Sequence, residues 1–518
     1  MTTPATTLAT LTRRAHERYA NRAAVHDGDG WLTFAQLGAM ARRTANRLLR
    51  LGCRPGDRVV IALENRPEVL AVEHALFLTG MVRVAVSSRL HGREIAGIAE
   101  DCGSAVVVCE PGHLEPLAGA DTRAIVAPGG GDVDLAALVG PGASESAPPV
   151  PGPEPGDIAA LMYTSGTTGE PKGAIVTHRA WVAMVRAFWA ELPPCGPGDV
   201  VLHAAPMSHF GGSAGSAYTF RGAAAVPVRR FDPDRVLHLL DEHRVAALPL
   251  VPTMLNALTA AAEATGTRPA SLRAVPYGGA PIAAQSLVRA EAVFGEVLYQ
   301  CYGLSEALAP LTVLPAREHR GAAGQPPPAH LASAGRPVAE VELSIVDDQG
   351  DEVAAGVDGE VRVRGDVVMP GYWGRPDQST EVLSDGWFRT GDIGHLDADG
   401  RLYLVDRRRD VIVSGGFNVY PSEVERVIAE LPDVREVVVF GVPHERWGEG
   451  VAAAVVRRPG STLSADDVVN ACRSRLAGYK KPVLVEFADH LPVSSTGKLH
   501  RREIRDRHWA GRNEVLGR

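Results

Sequence analysis

The stretch Tyr163 to Ala174, YTSGTTGEPKGA, holds the residues of this chain best suited to chemistry. Thr164, Ser165, Gly166, Thr167, Thr168 and Gly169 follow one another there and can neither pack a core nor hold a helix. Glycines let consecutive backbone N–H groups converge on one point, and the hydroxyls and Lys172 supply further donors. A loop of this make-up suits a polyphosphate. It is not the Walker pattern G-x-x-x-x-G-K-[ST], which needs a Gly where Pro171 stands and a Ser or Thr where Gly173 stands. The competing reading is a flexible Ser/Gly linker, against which stand the Pro-Lys-Gly at its end and the apolar segment that continues from it.

Other segments carry groups of the same kind. Tyr302 to Glu306, YGLSE, sets an aromatic face, a hydroxyl and a carboxylate beside a strand end, although an ordinary turn would look alike. In Thr390-Gly-Asp392 a carboxylate can accept from both hydroxyls of a ribose, and Arg407, in DRRRD, can add a charged donor to the same sugar. Gly278, Gly279 and Ala280 lack bulk, as a surface facing a flat purine requires. In PVSSTGKLHR, Lys498 ends a flexible backbone, so a long cationic side chain can reach into a site and withdraw. Gly211-Gly-Ser213-Ala-Gly215 fits the hydrolase elbow G-x-S-x-G, a pattern that 55 glycines make common by composition. Cys301 sits at an apolar strand end with no adjacent base, a poor setting for a nucleophile.

Taken together and in order, these segments resemble the adenylate-forming superfamily of acyl- and aryl-CoA ligases, peptide-synthetase adenylation domains and luciferases. TSGTTGxPKG is among its most specific signatures, and the other matches extend the resemblance over most of the chain. It implies that residues 164–172 hold the phosphates of ATP, that Tyr302, with Gly279, Ala280 and Gly303, receives adenine, and that Ser305 touches the α-phosphate. It also implies that Glu306 and Thr164 hold Mg²⁺, that Asp392 and Arg407 hold the ribose, and that Lys498 bridges carboxylate and phosphate oxygens as charge develops at phosphorus. Lys498, Glu306 and His209 are the catalytic residues so implied. His209, in PMSHFGG, would gate an acid pocket formed by Phe210, Gly211, Gly212, Gly278, Leu304 and Leu308.

The implied reaction makes an acyl-adenylate from a carboxylic acid and ATP, then a thioester with CoA. GGFNVYPSEVE, with Gly416, and Trp447-Gly-Glu resemble CoA-ligase segments that line the pantetheine tunnel. Relatives acting on α-amino acids usually carry Asp at the position of Gly211, so an amino acid is disfavoured. The small or apolar pocket favours an aryl, arylacrylic or medium-chain acyl acid. Adenylation without CoA transfer, to an amine or with nitrite as the activated oxyanion, is the alternative, and a serine hydrolase using Ser213 ranks below it. Arg409 departs from the usual Asp or Lys of the hinge, and Asp406 replaces the more usual Gly before Arg407.

A length of 518 residues requires two or three domains, and a net charge of −8 argues against a nucleic-acid partner. The N-terminus has no continuous apolar core for a secretory signal, and the apolar stretch Val69 to Val86 is interrupted by Glu73, His74 and Arg83. The expectation is a cytoplasmic protein without a membrane partner, acting on a small acid, ATP and CoA, with a homodimer allowed. Six cysteines without C-x-x-C spacing read as free thiols.

These groups must be positioned by an α/β fold. Thr33 and Gln36 form a capping box ahead of a helix stopped by Gly52, and strands at Arg58 to Leu63, Val82 to Val86 and Ala105 to Cys109 alternate with helices, which implies parallel sheet. From Pro111 to Asp157 the composition turns to Gly, Pro, Ala and Asp, with PGASESAPPVPGPEPG, residues 141–156, a linker before the strand of the phosphate loop. A second βα series has strands at Val200 to Ala204, Ala224 to Val228, Val245 to Val251, Leu272 to Tyr277 and Val297 to Tyr302, whose carboxyl ends should share one crevice with the phosphate loop. Short alternating strands over about 335–405 read as a small β-barrel. The expected organisation is a large N-terminal domain, 1–408, of two βα-layered parts and the barrel, followed by a mobile α+β lid, 409–518, with a helix capped by Ser422 and another opened by Ser464.

Overall fold

The computed structural model describes residues 6–142, 144–146, 148–165, 171–320, 327–407, 410–414, 417–444, 447–493 and 499–509. The chain divides into two compact units. The larger is Met1–Leu343 with Arg362–Thr390 and Gly400–Leu402; the smaller is Ser344–Val361 with Gly391–Asp399 and Tyr403–Arg518.

In the larger unit, Thr33 and Gln36 make the expected reciprocal cap for the helix Phe34–Arg50. Strands Arg58–Ala62, Val82–Ala85 and Ser104–Cys109 are parallel neighbours in a seven-stranded sheet. Their near-continuous Val, Ile and Ala content matches burial on both faces. The stretch rich in Gly, Pro, Ala and Asp ahead of the linker is structured, because Ala124–Ala127 and Val133–Asp134 extend this sheet in parallel and Asp134 caps the helix Leu135–Val139. At the opposite edge, Ile158–Ser165 runs parallel to Val82–Ala85 and pairs antiparallel with Pro171–Thr177.

The second series differs from its expectation at one place. Val200–His203 and Ala224–Pro227 lie in one sheet and Val275–Gly278 with Leu298–Tyr302 in another. Between them, residues 245–251 make only isolated bridges, Ala247 to Val201 and Ala274, and Leu250 to Tyr277. Pro249 has no N–H to give a ladder, which accounts for the broken strand. One apolar cluster, including Leu202, Leu248, Leu255, Tyr277 and Leu298, spans these elements.

Glu342–Val346, Gly359–Arg364, Leu383–Ser384, Trp387–Leu396 and Leu402–Arg407 form a sheet of five short strands. The smaller unit has a second five-stranded sheet in which Val434–His444 and Gly448–Arg457 form a long antiparallel pair. Ser464 caps the helix Ala465–Arg475 with Asp467 in the reciprocal position. Ser422, by contrast, is no cap: the helix Pro421–Ala429 starts after Tyr420, with Pro421 at its first position. The Ser422 hydroxyl donates instead to the Val405 carbonyl, and its N–H donates to Asp406 at 3.0 Å. No described helix is long and apolar enough to cross a membrane.

Candidate active site

The sequence TSGTTGEPKG is carried on a hairpin. Thr164 stands opposite Lys172, and Ser165 opposite Pro171, so two paired strands bring both flanks of residues 166–170 to one mouth. The hairpin is anchored from below. Tyr163 donates from its hydroxyl to Asp101 Oδ2 at 2.5 Å, and Arg375 donates to Asp101 Oδ1 at 2.6 Å. Burial, followed by this hydrogen bond, raises the Tyr163 phenol above its ordinary pKa, so it remains a donor. A Cβ at Gly173 would come within 3.1 Å of the Tyr163 ring, which would have to give by a few tenths of an ångström.

A second segment crosses the hairpin. Trp373 N–H donates to the Gly173 carbonyl at 2.8 Å, and Ile175 N–H donates to the Gly371 carbonyl at 3.0 Å. Tyr372 lies between them with the Lys172 ammonium 5.5 Å from its ring centre, in cation–π range. Its hydroxyl donates to Glu306 Oε1 at 3.1 Å, and Met369 N–H donates to the Glu306 carbonyl at 2.8 Å. Tyr372 therefore joins the hairpin lysine to the carboxylate of YGLSE, a role that nothing in the local pattern GYWG announces.

Gly278 pairs with Cys301 in adjacent parallel strands, so the turns Gly278-Gly-Ala280 and Tyr302 to Glu306 leave the same sheet end side by side. Gly278 has no room for a side chain: a Cβ would lie 2.1 Å from the Cys301 carbonyl oxygen. Gly279 takes φ +86°, where glycine is at little cost. At Gly303 a Cβ would lie 2.5 Å from the Ala309 backbone, and Leu304 N–H donates to the Ala307 carbonyl at 2.8 Å, closing the turn. Tyr302 and Leu308 are buried, while Leu304, Ser305 and Glu306 are partly exposed. Cys301 is buried and burial raises its thiol pKa well above the ordinary value, which agrees with an inert thiol.

His209 occupies the cap position of the helix Phe210–Thr219, with Ser208 Oγ 2.7 Å from its Nδ1. Gly211 and Gly212 start the helix under close backbone; a Cβ at Gly212 would lie 1.8 Å from the Met207 carbonyl oxygen. Phe210 packs on Phe188 with ring centres 6.3 Å apart. Two residues missed from sequence hold this turn. Asn65 donates to the His203 and Ala205 carbonyls at 2.8 and 2.9 Å and accepts from Met207 N–H at 2.8 Å. Arg83, ion-paired with Glu73 at 2.6 Å, donates to the Met207 carbonyl at 3.0 Å. Arg83 also pairs with Ala160 of the hairpin strand, so the His209 turn and the hairpin share one support. The only sequence signal was a charge pair inside an apolar run. Ser213 is buried in the helix, and its hydroxyl donates to the His209 and Phe210 carbonyls, so the G-x-S-x-G match has neither a strand-to-helix elbow nor a base on the serine.

In the smaller unit, Asp392 is buried on the strand Trp387–Leu396, and Arg407 ends the strand Leu402–Arg407. Trp447 stacks on His444 with ring centres 4.3 Å apart. Gly166, Thr167, Thr168, Gly169, Arg409, Gly416 and Lys498 lie outside the described residues, as do the side chains of Ser165 and Arg407. Among the described residues no cluster of three or more His, Cys, Asp or Glu could hold a metal ion by itself. Glu306 could contribute one carboxylate, which fits Mg²⁺, an ion usually held by one or two carboxylates and the phosphates of a substrate.

Residues 11–373 match the family described as AMP-binding enzyme, and residues 423–498 match the AMP-binding enzyme C-terminal domain. The chain is 36% identical to a feruloyl-CoA synthase from Amycolatopsis sp over 488 residues, 93% of this chain and 95% of that protein. Among solved structures, the amide bond synthetase McbA from Marinactinospora thermotolerans superposes with TM-score 0.86 at 31% identity, covering 97% of this chain and 99% of that one. The o-succinylbenzoate CoA synthetase MenE from Bacillus subtilis, in complex with the acyl-adenylate intermediate OSB-AMP, superposes with TM-score 0.84 at 31% identity, covering 96% and 98%.

Proposed function

Since the chain belongs to the AMP-binding enzyme family and is an AMP-forming ligase, we propose that it activates an aryl, arylacrylic or medium-chain carboxylic acid with ATP and passes the acyl group to CoA. The observation that carries this reading is the tie from Lys172 through Tyr372 to Glu306, which sets a cation and a carboxylate beside a glycine- and hydroxyl-rich hairpin. In the first step a carboxylate oxygen attacks the α-phosphorus, the bond to the β-phosphate bridging oxygen breaks, and pyrophosphate leaves. In the second the CoA sulfur attacks the acyl carbon, AMP leaves with the electron pair, and the thiol proton is released.

Thr164, Lys172 and residues 165–169 orient the phosphates; Tyr302, with Gly279, Ala280 and Gly303, flanks the base; Ser305 approaches the α-phosphate; Asp392 and Arg407 hold the ribose. Mg²⁺ on Glu306, with Thr164 nearby, would neutralise phosphate charge. Lys498 acts as a cation on the atoms where charge develops. Residues 409–518 act as the lid, turning at Arg409 to exchange Lys498 for Gly416 and Trp447 between the steps.

The acid enters past His209 against Phe210, Gly211, Gly212, Gly278, Leu304 and Leu308, and the name of the feruloyl-CoA synthase relative points to the arylacrylic class. The amide bond synthetase favours one second reading, transfer to an amine. A panel of benzoic, cinnamic and octanoic acids, with nitrite plus an aryl amine, assayed for pyrophosphate with and without CoA, tests both. CoA-dependent turnover of one acid supports the ligase; pyrophosphate with an amine but no CoA consumption supports the second reading; pyrophosphate from none overturns both.

A further inference from the structure

Arg501 stands three residues after Lys498, at the start of the helix Arg501–Trp509, and its guanidinium meets three carboxylates of the smaller unit, two from residues 406–410 and one from the helix Pro421–Ala429. Nη1 lies 3.1 Å from Asp410 Oδ2 and 3.5 Å from Asp406 Oδ1, and Nη2 lies 2.7 Å from Glu425 Oε1. Two of the carboxylates are themselves fixed by backbone N–H groups. Asp406 receives the Ser422 N–H at 3.0 Å, Glu425 receives the Val439 N–H at 2.8 Å, and the Asp406 side chain is only 4% exposed. Asp406 and Asp410 bracket Arg407 to Arg409 in sequence. Val493 and Leu499, on either side of residues 494–498, pair in an isolated antiparallel bridge. The helix that follows is seated by the buried Ile504 and by Trp509 Nε1, which donates to the Gly441 carbonyl at 3.1 Å.

We infer that Arg501 is a positioning residue: by gripping Asp406, Asp410 and Glu425 together, it holds the chain that carries Lys498 in register with the chain that carries Arg407. This rests on the proposed function, in which both cations serve one nucleotide during adenylation. A planar guanidinium can address three carboxylates at fixed angles, whereas an ammonium on a flexible stem cannot. Through these contacts Arg501 ties the chain on both sides of Arg407–Arg409 to the start of its own helix and to the helix Pro421–Ala429. The grip also explains a use for Asp406 in place of the more usual glycine. Because Lys498 acts only while charge develops on phosphorus, the register matters for adenylation and not for transfer.

The test separates the half-reactions in the full-length protein, using the acid that the panel selects. ATP–pyrophosphate exchange reads adenylation, and supplied acyl-adenylate with CoA, or with the amine if that is the acceptor, reads transfer. Arg501→Gln is expected to slow exchange about 100-fold while transfer changes by no more than about threefold, and Arg501→Lys to restore about a tenth of the exchange. Asp406→Asn, which keeps the arginine and two of its partners, should slow exchange about tenfold with the same selectivity, and serves if Arg501→Gln does not fold. Exchange and transfer falling in equal proportion, or exchange unchanged, would overturn the inference. Lys498→Ala distinguishes its failure from that of the parent reading. Exchange intact in Lys498→Ala sinks the adenylation mechanism itself, whereas exchange lost there but kept in Arg501→Gln and Asp406→Asn sinks only the role of Arg501.

Discussion

Two arginines, one in each compact unit, show opposite ways of placing charge. Arg83, 1% exposed, faces the single carboxylate of Glu73, gives a second donor to the Met207 carbonyl and lies 5.3 Å from the Trp181 ring centre. Arg501 keeps about a fifth of its side chain in solvent and faces three carboxylates. Where water is excluded, charge is cancelled one for one and the remaining donors go to oxygen or to a ring face, because an unmatched ion there costs several kcal/mol. A guanidinium that reaches several carboxylates can instead grip several segments at once.

Acid should expose the difference most strongly. His16, His178, His203 and His319, all in the larger unit, are held by burial to pKa values of about 4, and His74, which shares a hydrogen bond of 2.9 Å with His16, is lowered as well. The unfolded chain binds protons on these imidazoles near pH 6.5, and the folded chain only near pH 4. Stability therefore rises with pH across that window and is lost as pH falls through it, by on the order of 3 kcal/mol per histidine. Two or three such groups rival the stability of a domain, so the larger unit should unfold before pH 4. Glu425 in the smaller unit moves the other way, since burial raises its carboxyl pKa and its contribution grows on acidification. Hydrogen exchange corrected for intrinsic pH dependence should show Phe210–Thr219 opening before Val434–His444; the reverse order would break the comparison.

Next in size is Arg83→Met, which strands the buried Glu73 carboxylate and should cost about 3–5 kcal/mol in urea unfolding. Arg83→Met combined with Glu73→Met should recover most of that loss, because removing both charges removes the orphan. If the double variant is no better than the single one, the pair is not balanced as described. Asn65→Ala should cost less, about 2–3 kcal/mol, by orphaning the Met207 N–H and the Ala205 carbonyl, while the His203 carbonyl keeps the Val228 N–H at 3.0 Å. It should also raise KM for the acid with KM for ATP unchanged, since only the His209 turn loses support.

The same contrast decides what could be read before the fold was seen. Alternating apolar runs gave the parallel strands Arg58–Ala62, Val82–Ala85 and Ser104–Cys109, because burial on both faces leaves a continuous signature. Local chemistry gave the caps at Thr33 and Ser464, whose partners lie three residues away. The turns at Gly278, Tyr302 and His209 stood out in the sequence because their glycines, which have no room for a Cβ at 278, 303 and 212, lie beside polar and aromatic residues. Long-range supports were not. Asn65 acts across more than a hundred residues on Met207, and Ser422, which resembles a cap, is spent on Val405 and Asp406. Composition also misled, since the proline- and glycine-rich stretch after Pro111 still supplies two strands at one end of the sheet.

Tyr372 supplies the smallest and sharpest prediction, for it stands between the two regimes: a neutral group in the larger unit that serves one cation and one anion at once. Its ring faces Lys172 and its hydroxyl donates to Glu306. Tyr372→Phe keeps the ring and removes only the hydroxyl, so the Lys172 contact survives and Glu306 loses one donor. A partly exposed carboxylate can recruit water in its place, which limits the loss to about 1.5 kcal/mol, or about tenfold in kcat/KM for adenylation. Tyr372→Leu removes the ring as well and should add a further few-fold loss, the size of a cation–π contact near solvent. Transfer from supplied acyl-adenylate should be unchanged in both, because neither Lys172 nor Glu306 faces a developing charge once pyrophosphate has left. Equal activity of Tyr372→Phe and the parent, with a large loss in Tyr372→Leu, would show that the ring and not the hydroxyl carries the tie, and Glu306 would then have to be positioned by the Met369 N–H bond to its carbonyl alone.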